Sequence, residues 1–358
     1  MEGVQHTREA NGGRKGKRKR GEETQRQTNV KRHLAGACQV KHERVPCKGM
    51  KGKFTGFVNH QERRDFVELI GTEVAAPTVT AAGVVSHHLG EGGEFICTVV
   101  GQALVPLLPK LPELSNVPSC LRASEKLLRV QTDASVARGP GLEAGAFVRY
   151  FGIRDSQLNK DKGNSQLSLQ SYNCAPQPDG EDATKWMHKH HTIIGELHGL
   201  VRLGELVVGV VAPEAARAMQ EAVSCFKSCN PGWEGVARPA GNMHTSGIVT
   251  RNFCNKIHEE EDKSTKANLG MTMVMCFGGA TVMNFPEYKL RLRLEHGDQI
   301  IFNHRLLHCT EARPNNEGPD SYAVASYLKR STLAAAKLPN LNQLQATAGQ
   351  VDKWCKQP

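Results

Sequence analysis

The stretch KLRLRLE, residues 289–295, alternates strictly between leucine and charged side chains. Successive side chains of a strand point to opposite faces, so Leu290, Leu292 and Leu294 would share one face. A helix would scatter these leucines around its surface. The alternation therefore predicts a strand with one buried face and one face towards solvent.

Further short apolar runs lie on either side of this strand. The predicted strands are Gly247–Phe253, Met271–Phe277, Lys289–Glu295, Gln299–Phe302 and Tyr322–Lys329. From Thr192 onwards the pattern is one of short β-type runs, interrupted by a single predicted helix at Pro213–Lys227. Serial short strands indicate a sandwich or jelly roll and not a parallel α/β sheet. We expect an α+β chain whose C-terminal half is a double-stranded β-helix (jelly roll) with flanking helices.

The positive charge is concentrated at the N-terminus. Residues 1–53 contain 15 Lys/Arg and 5 Glu, which accounts for the whole formal net charge of +10. The segment includes RKGKRKR and has few large apolar residues, so burial cannot offset its ordering entropy. We expect a disordered basic arm, suited to nuclear import or to nucleic-acid phosphates. The other predicted regions are a helical or irregular flanking region (54–190), the β-helix core (191–335) and a C-terminal extension (336–358).

The cysteines and the apolar segments bear on location. The N-terminus lacks the apolar core of a signal peptide, and no apolar run is long enough to span a bilayer. The 11 cysteines are odd in number and scattered, which is typical of a reducing compartment. The expected location is the nucleus or the cytoplasm, with no membrane contact.

A histidine followed by four acids, HEEED, carries the strongest chemical signal. On a strand His258, Glu260 and Asp262 share a face, so His258 and Glu260 can offer an imidazole and a carboxylate to one point. A facial triad for non-haem Fe(II) needs one more histidine. The segment GDQIIFNHRLLHC supplies His308 in an apolar context, whereas His304 is expected at the turn. The sequence thus predicts an iron site of His258, Glu260 and His308.

Two segments carry a resemblance to a known family. SGIVTRNFCNKIHEEED and LEHGDQIIFNHRLLHCTEA, with the later SYAVASYLKR, resemble the Fe(II) dioxygenase domain of the ten-eleven-translocation and J-binding-protein family in its fungal, algal and protist branches; they span under a third of the chain. The resemblance implies an oxidoreductase that uses iron and 2-oxoglutarate to oxidise the methyl group of 5-methylcytosine, or another methylpyrimidine, in DNA. It implies that His258, Glu260 and His308 ligate the iron, with Asn252 and Asp262 behind the ligands or in the base pocket.

Two positions depart from the family pattern. Glu260 stands where the family has an aspartate ligand, and Asp262 on the same strand face could take over that role. Ser321 stands where the family has an arginine that holds the 2-oxoglutarate carboxylate. A buried carboxylate without a cation is strongly disfavoured. Either a displaced cation, such as Arg313 or Lys329, therefore binds 2-oxoglutarate, or the co-substrate is another molecule such as ascorbate; we expect 2-oxoglutarate.

Two alternative functions stay open. One is an iron oxygenase that acts on a protein or a small molecule, with ascorbate as a candidate co-substrate. The other is a catalytically inactive jelly roll that binds nucleic acid, in which Glu260 and Ser321 mark a decayed site. In the leading interpretation the target nucleotide is flipped out of the duplex, and the basic arm makes sequence-independent phosphate contacts.

Overall fold

The structure is a computed structural model that describes residues 25, 27–34, 36–47, 49–52, 64–65, 67–68, 77–106, 147–155, 169–171, 191–231, 240–259, 268–311, 318–329 and 332–333. The strands of this part of the chain are β1 (Gly36–His42), β2 (Thr78–Val79), β3 (Val84–Gly90), β4 (Phe95–Val100), β5 (Phe147–Asp155), β6 (Leu169–Ser171), β7 (Ser246–Arg251), β8 (Asn268–Gly278), β9 (Thr281–Phe285), β10 (Leu290–Leu294), β11 (Gln299–Phe302), β12 (Cys309–Thr310) and β13 (Ser321–Lys329). The longer helices are α1 (His191–Val211) and α2 (Pro213–Cys229). The result is a mixed α+β structure made mostly of sheet.

The strands form two sheets, and the chain passes back and forth between them. The large sheet has the order β1-β3-β4-β11-β8-β13-β7-β5-β6, and the small sheet has the order β12-β9-β10-β2. From β7 onwards the chain places β7, β8, β11 and β13 in the large sheet and β9, β10 and β12 in the small one. The four large-sheet strands pair antiparallel as β11-β8-β13-β7. The predicted α+β, sheet-rich architecture is confirmed, and it is compatible with the predicted jelly roll.

The alternating strand lies where its pattern predicts. Leu290, Leu292 and Leu294 are buried in β10, while Arg291 is half-buried and Arg293 is exposed. The leucines join an apolar cluster with residues of the facing large sheet, among them Ile300. The space between the two sheets is therefore filled by one face of each.

The segment that begins at Thr192 is helical, and the prediction of β-type runs there was wrong. Helix α1 covers residues 191–211, and its buried residues include Leu197, Leu200, Val201 and Val208. Spacings of three, four and seven residues are the period of a helix face, although β-branched residues in LVVGVV favour strands locally. Gly204 lets the helix lie close to the large sheet, because a Cβ there would meet the Met275 sulfur at 2.6 Å. The predicted helix from Pro213 is confirmed as α2.

The sequence suggested that the region 54–190 is helical or irregular, but part of it forms strands. Strands β3, β4 and β5 from this region extend the large sheet on both sides of its four central strands. All six residues of β4, FICTVV, are buried, so the strand has no polar face and lacks the alternation that reveals a half-buried strand. Residues 107–146 of this region and the predicted C-terminal extension lie outside the described residues.

The basic arm is shorter than the charge pattern indicated. Residues 27–33 form a short helix, and β1 pairs parallel with β3, so disorder through residue 53 is not what the structure shows. Val30, Val45 and Met50 are buried, with 1%, 8% and 0% exposure. These three side chains are too few to show in a composition dominated by lysine and arginine. Residues 1–24 lie outside the described residues.

Truncation should separate the two parts of this segment. Deleting residues 1–24 should leave the free energy of unfolding unchanged, because this segment has few large apolar side chains that folding could bury. Deleting residues 1–52 removes the three buried side chains, each worth about 1.5–3 kcal/mol, and should cost at least about 4 kcal/mol. Urea denaturation of both truncated proteins measures this difference. Equal stabilities would contradict the packing of this segment.

No helix in the described part of the chain is both long and apolar enough to cross a membrane.

Candidate metal centre

Two histidines from distant parts of the sequence lie side by side at the edge of the small sheet. His258 and His308 form an antiparallel bridge: the His258 N–H donates to the His308 carbonyl at 3.0 Å, and the His308 N–H donates to the His258 carbonyl at 2.8 Å. Their ring centroids are 4.2 Å apart. The bridge directly precedes β12, which pairs with β9. We refer to His258 and His308 as the histidine pair.

Backbone carbonyls set the tautomer of both rings. The His308 Nδ1 lies 2.8 Å from the Leu306 carbonyl, and the His258 Nδ1 lies 2.9 Å from the Lys256 carbonyl. A carbonyl can only accept, so the His308 Nδ1 carries the proton and its Nε2 keeps its lone pair. At His258 the Lys256 carbonyl at 2.9 Å is a shorter contact than the Asn255 Nδ2 donor at 3.3 Å and favours the same tautomer. Metal-ligating histidines commonly donate their second nitrogen to such an acceptor. The pair therefore presents two nitrogens in the form that binds a metal.

Apolar surroundings keep His308 neutral. Its ring contacts Phe302, with 4.9 Å between centroids, and approaches Phe285 at 6.4 Å. Burial, and then the neighbouring His258, lower the pKa of His308 well below its ordinary value. Neutral imidazole is the metal-binding form. Because His258 is only half-buried, the pair lies at the boundary between the apolar interior and solvent.

The predicted carboxylate ligand follows directly after the described segment. Glu260 and Asp262 lie outside the described residues, as does Arg313. Glu259 is described, and its carboxylate lies 3.4 Å from the Lys51 ammonium. Within the described ranges, no group of three His, Cys, Asp or Glu side chains is arranged to hold a metal ion. The third ligand stays a prediction.

His304 lies in the turn that precedes His308, as the sequence predicted. It is buried, with 1% exposure, and its charge would lower the pKa of His308 further. The bridge with His258, however, is made by His308 and not by His304. The backbone pairing therefore favours His308 as the partner of His258.

Asn252 ties two strand ends together instead of projecting into an open site. Its Nδ2 donates to Asp320 Oδ1 at 2.7 Å, and its Oδ1 accepts the Ser321 N–H at 2.9 Å. Its backbone φ of 47° is left-handed, a conformation that asparagine tolerates. Both ends of its amide are thus bonded to the start of β13. A structural role accounts for these contacts, and a place in a base pocket stays a prediction.

The co-substrate candidates lie at opposite ends of β13. Ser321 is buried at its start, with its Oγ 3.4 Å from Asn252 Oδ1. Lys329 is at the other end, about 26 Å along an extended strand, where its ammonium lies 5.6 Å from the Tyr327 ring centroid. Arg251, another candidate cation, lies 3.8 Å from Asp320. Arg251 is thus linked to Asp320, the residue that precedes Ser321, whereas Lys329 lies at the far end of the strand.

Asn255 is a residue that sequence reasoning missed. Its Oδ1 accepts the Thr310 N–H at 2.6 Å, and its own N–H donates to the Thr310 carbonyl at 3.2 Å. Its Nδ2 lies 3.3 Å from the His258 Nδ1. Asn255 thereby joins the two histidine segments just beyond the pair. Its position three residues before His258 was the available signal, but nothing in the sequence distinguished it from Asn252.

Comparisons with known proteins add little. No family model matches the chain, and no curated protein matches it. Among solved structures, the chain is similar to NgTET1 in complex with 5mC DNA, with 10% identity and a TM-score of 0.38 over 75% of this chain and 89% of that one. It is also similar to the hydroxypropylphosphonic acid epoxidase of S. wedmorenis, with 13% identity and a TM-score of 0.16 over 23% of this chain and 42% of that one. Similarities this low assign neither a family nor a function to this chain.

Proposed function

We propose that this chain is an Fe(II)-dependent oxygenase built on a double-stranded β-helix, and that it oxidises the methyl group of 5-methylcytosine, or another methylpyrimidine, in DNA. The observation that carries the proposal is the histidine pair, in which His258 and His308 are adjacent and both Nδ1 atoms face backbone carbonyls. The other support is the family resemblance of the segments around both histidines.

The side chains present suit a facial iron site. His258 Nε2 and His308 Nε2 would supply two ligands, and the Glu260 carboxylate would supply the third. Bound Fe(II) would supply the activation of O2 that oxidation of a methyl group requires. One histidine and one carboxylate two residues apart, with a second histidine on the directly bridged neighbouring segment, would leave the remaining coordination positions for a co-substrate and O2.

The protein around the pair controls protonation and water. Its apolar interior, with Phe285 and Phe302 beside His308, excludes water from one side of the site. The Leu306 and Lys256 carbonyls hold the proton on each Nδ1 and so fix the ring orientation. The half-buried His258 leaves an approach from solvent for a substrate.

DNA is the proposed substrate because of the N-terminal charge. Residues 1–24 contain 7 Lys/Arg and 4 Glu, with six of the basic residues inside RKGKRKR. Such a segment would bind phosphates without sequence preference and would place the protein in the nucleus. A methyl group of a stacked base is inaccessible, so the nucleotide would have to flip into the site. The proposed co-substrate is 2-oxoglutarate.

Turnover on methylated DNA tests this function. We expect the protein, loaded anaerobically with Fe(II) and then given O2 and 2-oxoglutarate, to convert 5-methylcytosine in duplex DNA to its 5-hydroxymethyl product with one succinate per oxidised base. Mass spectrometry of the nucleosides measures the product, and unmethylated duplex is the control. Ascorbate in place of 2-oxoglutarate is the second arm, because Ser321 leaves the usual arginine position without a cation.

Each alternative gives a different result in the same experiment. Iron binding without any change to the DNA would favour an oxygenase for a protein or small molecule. DNA binding without iron binding would favour an inactive nucleic-acid-binding jelly roll. The contribution of the arm is measured by the slope of log K against log salt concentration, with and without residues 1–24.

A further inference from the structure

A segment from the N-terminal region passes behind the histidine pair. We call residues 44–47 and 49–52 the brace. The Gly52 N–H donates to the Ile257 carbonyl at 2.7 Å, and the Val45 N–H donates to the Glu287 carbonyl at 2.7 Å. The Lys51 ammonium lies 3.4 Å from the Glu259 carboxylate. The brace is thus attached to the residues on both sides of His258.

The same segment reaches the chain beside His308. Glu287 accepts the Leu307 N–H through Oε2 at 3.0 Å, and its Oε1 lies 2.6 Å from the Arg44 guanidinium. Glu287 therefore connects the start of the brace to the residue that directly precedes His308. The two histidine segments, more than 40 residues apart in sequence, meet the same stretch of the N-terminal region.

Met50 is the centre of this contact. It is fully buried, with 0% exposure, in a small apolar cluster with Ile257, Leu307 and Cys309. Ile257 and Leu307 each directly precede a histidine of the pair. Neighbouring side chains of an extended backbone point to opposite faces, so this cluster lies on the face opposite the two imidazoles.

The histidine pair needs such support. His258 and His308 are held together by an isolated bridge with two backbone hydrogen bonds, and the two Asn255 contacts with Thr310 extend this pairing by a single step. A short two-stranded pairing is marginally stable unless it packs against something else. Met50 supplies that packing, because it shares a buried apolar cluster with a residue of each segment, Ile257 and Leu307.

We propose that the brace positions the metal ligands, with Met50 as a positioning residue that sets the spacing of His258 and His308. This inference deepens the proposed function and rests on it for the metal. A purely structural role would lower stability without selectively affecting the pair. The two roles can be separated, because ligand spacing affects metal affinity and local exchange, whereas general core packing affects the whole fold.

The test compares three variants of the full chain. Met50→Ala removes the contact, Met50→Leu keeps an apolar side chain of similar volume, and Met219→Ala is the matched control in the apolar cluster beneath α2. The measurements are anaerobic Fe(II) titration, Co(II) titration followed by its visible absorption, and hydrogen exchange of peptides that cover residues 255–259 and 305–310.

We expect Met50→Ala to weaken both metal ions about tenfold, at the low end of what the loss of supporting contacts costs a metal site. Amide exchange of His258 and His308 should become faster in this variant. Met50→Leu should restore most of the affinity, and Met219→Ala should lower the melting temperature while keeping wild-type metal affinity and wild-type exchange at the pair.

Wild-type affinity and exchange in Met50→Ala would overturn the inference. An equal loss of affinity in Met219→Ala would overturn it as well, because the effect would then be global. A wild-type protein that binds neither ion refutes the proposed function. The brace is in that case judged by exchange alone: faster exchange confined to the histidine segments of Met50→Ala supports it, and exchange like that of Met219→Ala overturns it.

Discussion

Replacing His308 by alanine should abolish Fe(II) binding and leave the fold intact. Changes to groups behind a metal ligand already cost 10–100-fold in affinity, so loss of the ligand itself should cost more than about 100-fold. His258→Ala should have the same effect. Anaerobic Fe(II) titration measures affinity, and thermal unfolding of the same samples checks that the protein is folded.

His304→Ala is the matched control for this prediction. His304 is also a buried histidine, four residues earlier on the same segment, and it does not bridge to His258. We expect His304→Ala to retain iron. Loss of iron in His304→Ala, with retention in His308→Ala, would reverse the assignment.

Glu260→Asp should keep iron bound, because it preserves the carboxylate and restores the shorter side chain of the resembled family.

The fold was predictable where a strand has one polar face. The leucines of β10 alternate with charged residues, and the structure buries the leucines. Strand β4 is buried on both faces, so its sequence is continuously apolar and carries no period. The prediction for the segment of α1 was wrong for a related reason. Its β-branched residues obscured the helical spacing of buried positions such as Leu197, Leu200 and Val201.

The candidate site was predictable in part, because each of its histidines lies next to a segment with a strand pattern. The adjacency of His258 and His308 follows from strand order and from the apolar context of His308. The supporting residues could not be predicted in this way. Met50 is about 200 residues from either histidine, and Asn255 looks like any polar residue of a loop.

The N-terminal segment shows why composition misled. Its net charge is high, but order needs only a few apolar side chains at the correct places. Val30 packs against the helices, whereas Met50 packs behind the small sheet. Between them β1 pairs with β3 and forms one edge of the large sheet. The chain therefore runs from the helix side of the large sheet round its edge to the small sheet, and only residues 1–24 are left as a candidate arm.

A second large effect, on stability, is expected from a change at Glu205 of α1, whose carboxylate is fully buried. Its Oε1 accepts the Met243 N–H at 2.6 Å and the Asn242 N–H at 2.8 Å, and its Oε2 accepts from Arg202 Nη1 at 2.7 Å. His244 Nδ1 lies 3.3 Å from Oε1. These contacts fasten residues 242–244 to the helix just before β7, the strand that leads to His258.

The pKa of Glu205 gives the pH dependence of this contribution. Burial acts to raise the pKa, but the hydrogen bond and charge of His244, the Arg202 guanidinium and the Met243 N–H outweigh it, so the pKa lies below its ordinary value of 4.5. A lowered folded-state pKa means that the stabilisation is fully present above pH 4.5 and is lost as the pH falls through the folded value.

Glu205→Gln should therefore lower the free energy of unfolding by about 2 kcal/mol or more at pH 7, because the amide keeps one acceptor but loses the buried negative charge that accepts from the half-buried Arg202, and hydrogen bonds to charged groups are worth about 1.5–3 kcal/mol. The difference from wild type should shrink as the pH falls below 4.5, because the carboxylate of the unfolded wild-type chain takes up a proton before the folded one does. Urea denaturation across this pH range measures both effects. Glu196→Gln, a half-buried position on the same helix, is the control and should change stability by less than about 0.5 kcal/mol. A loss at Glu205 below about 1 kcal/mol at pH 7, or a loss that stays constant down to pH 3, would show that the ionised carboxylate does not fasten residues 242–244 to α1.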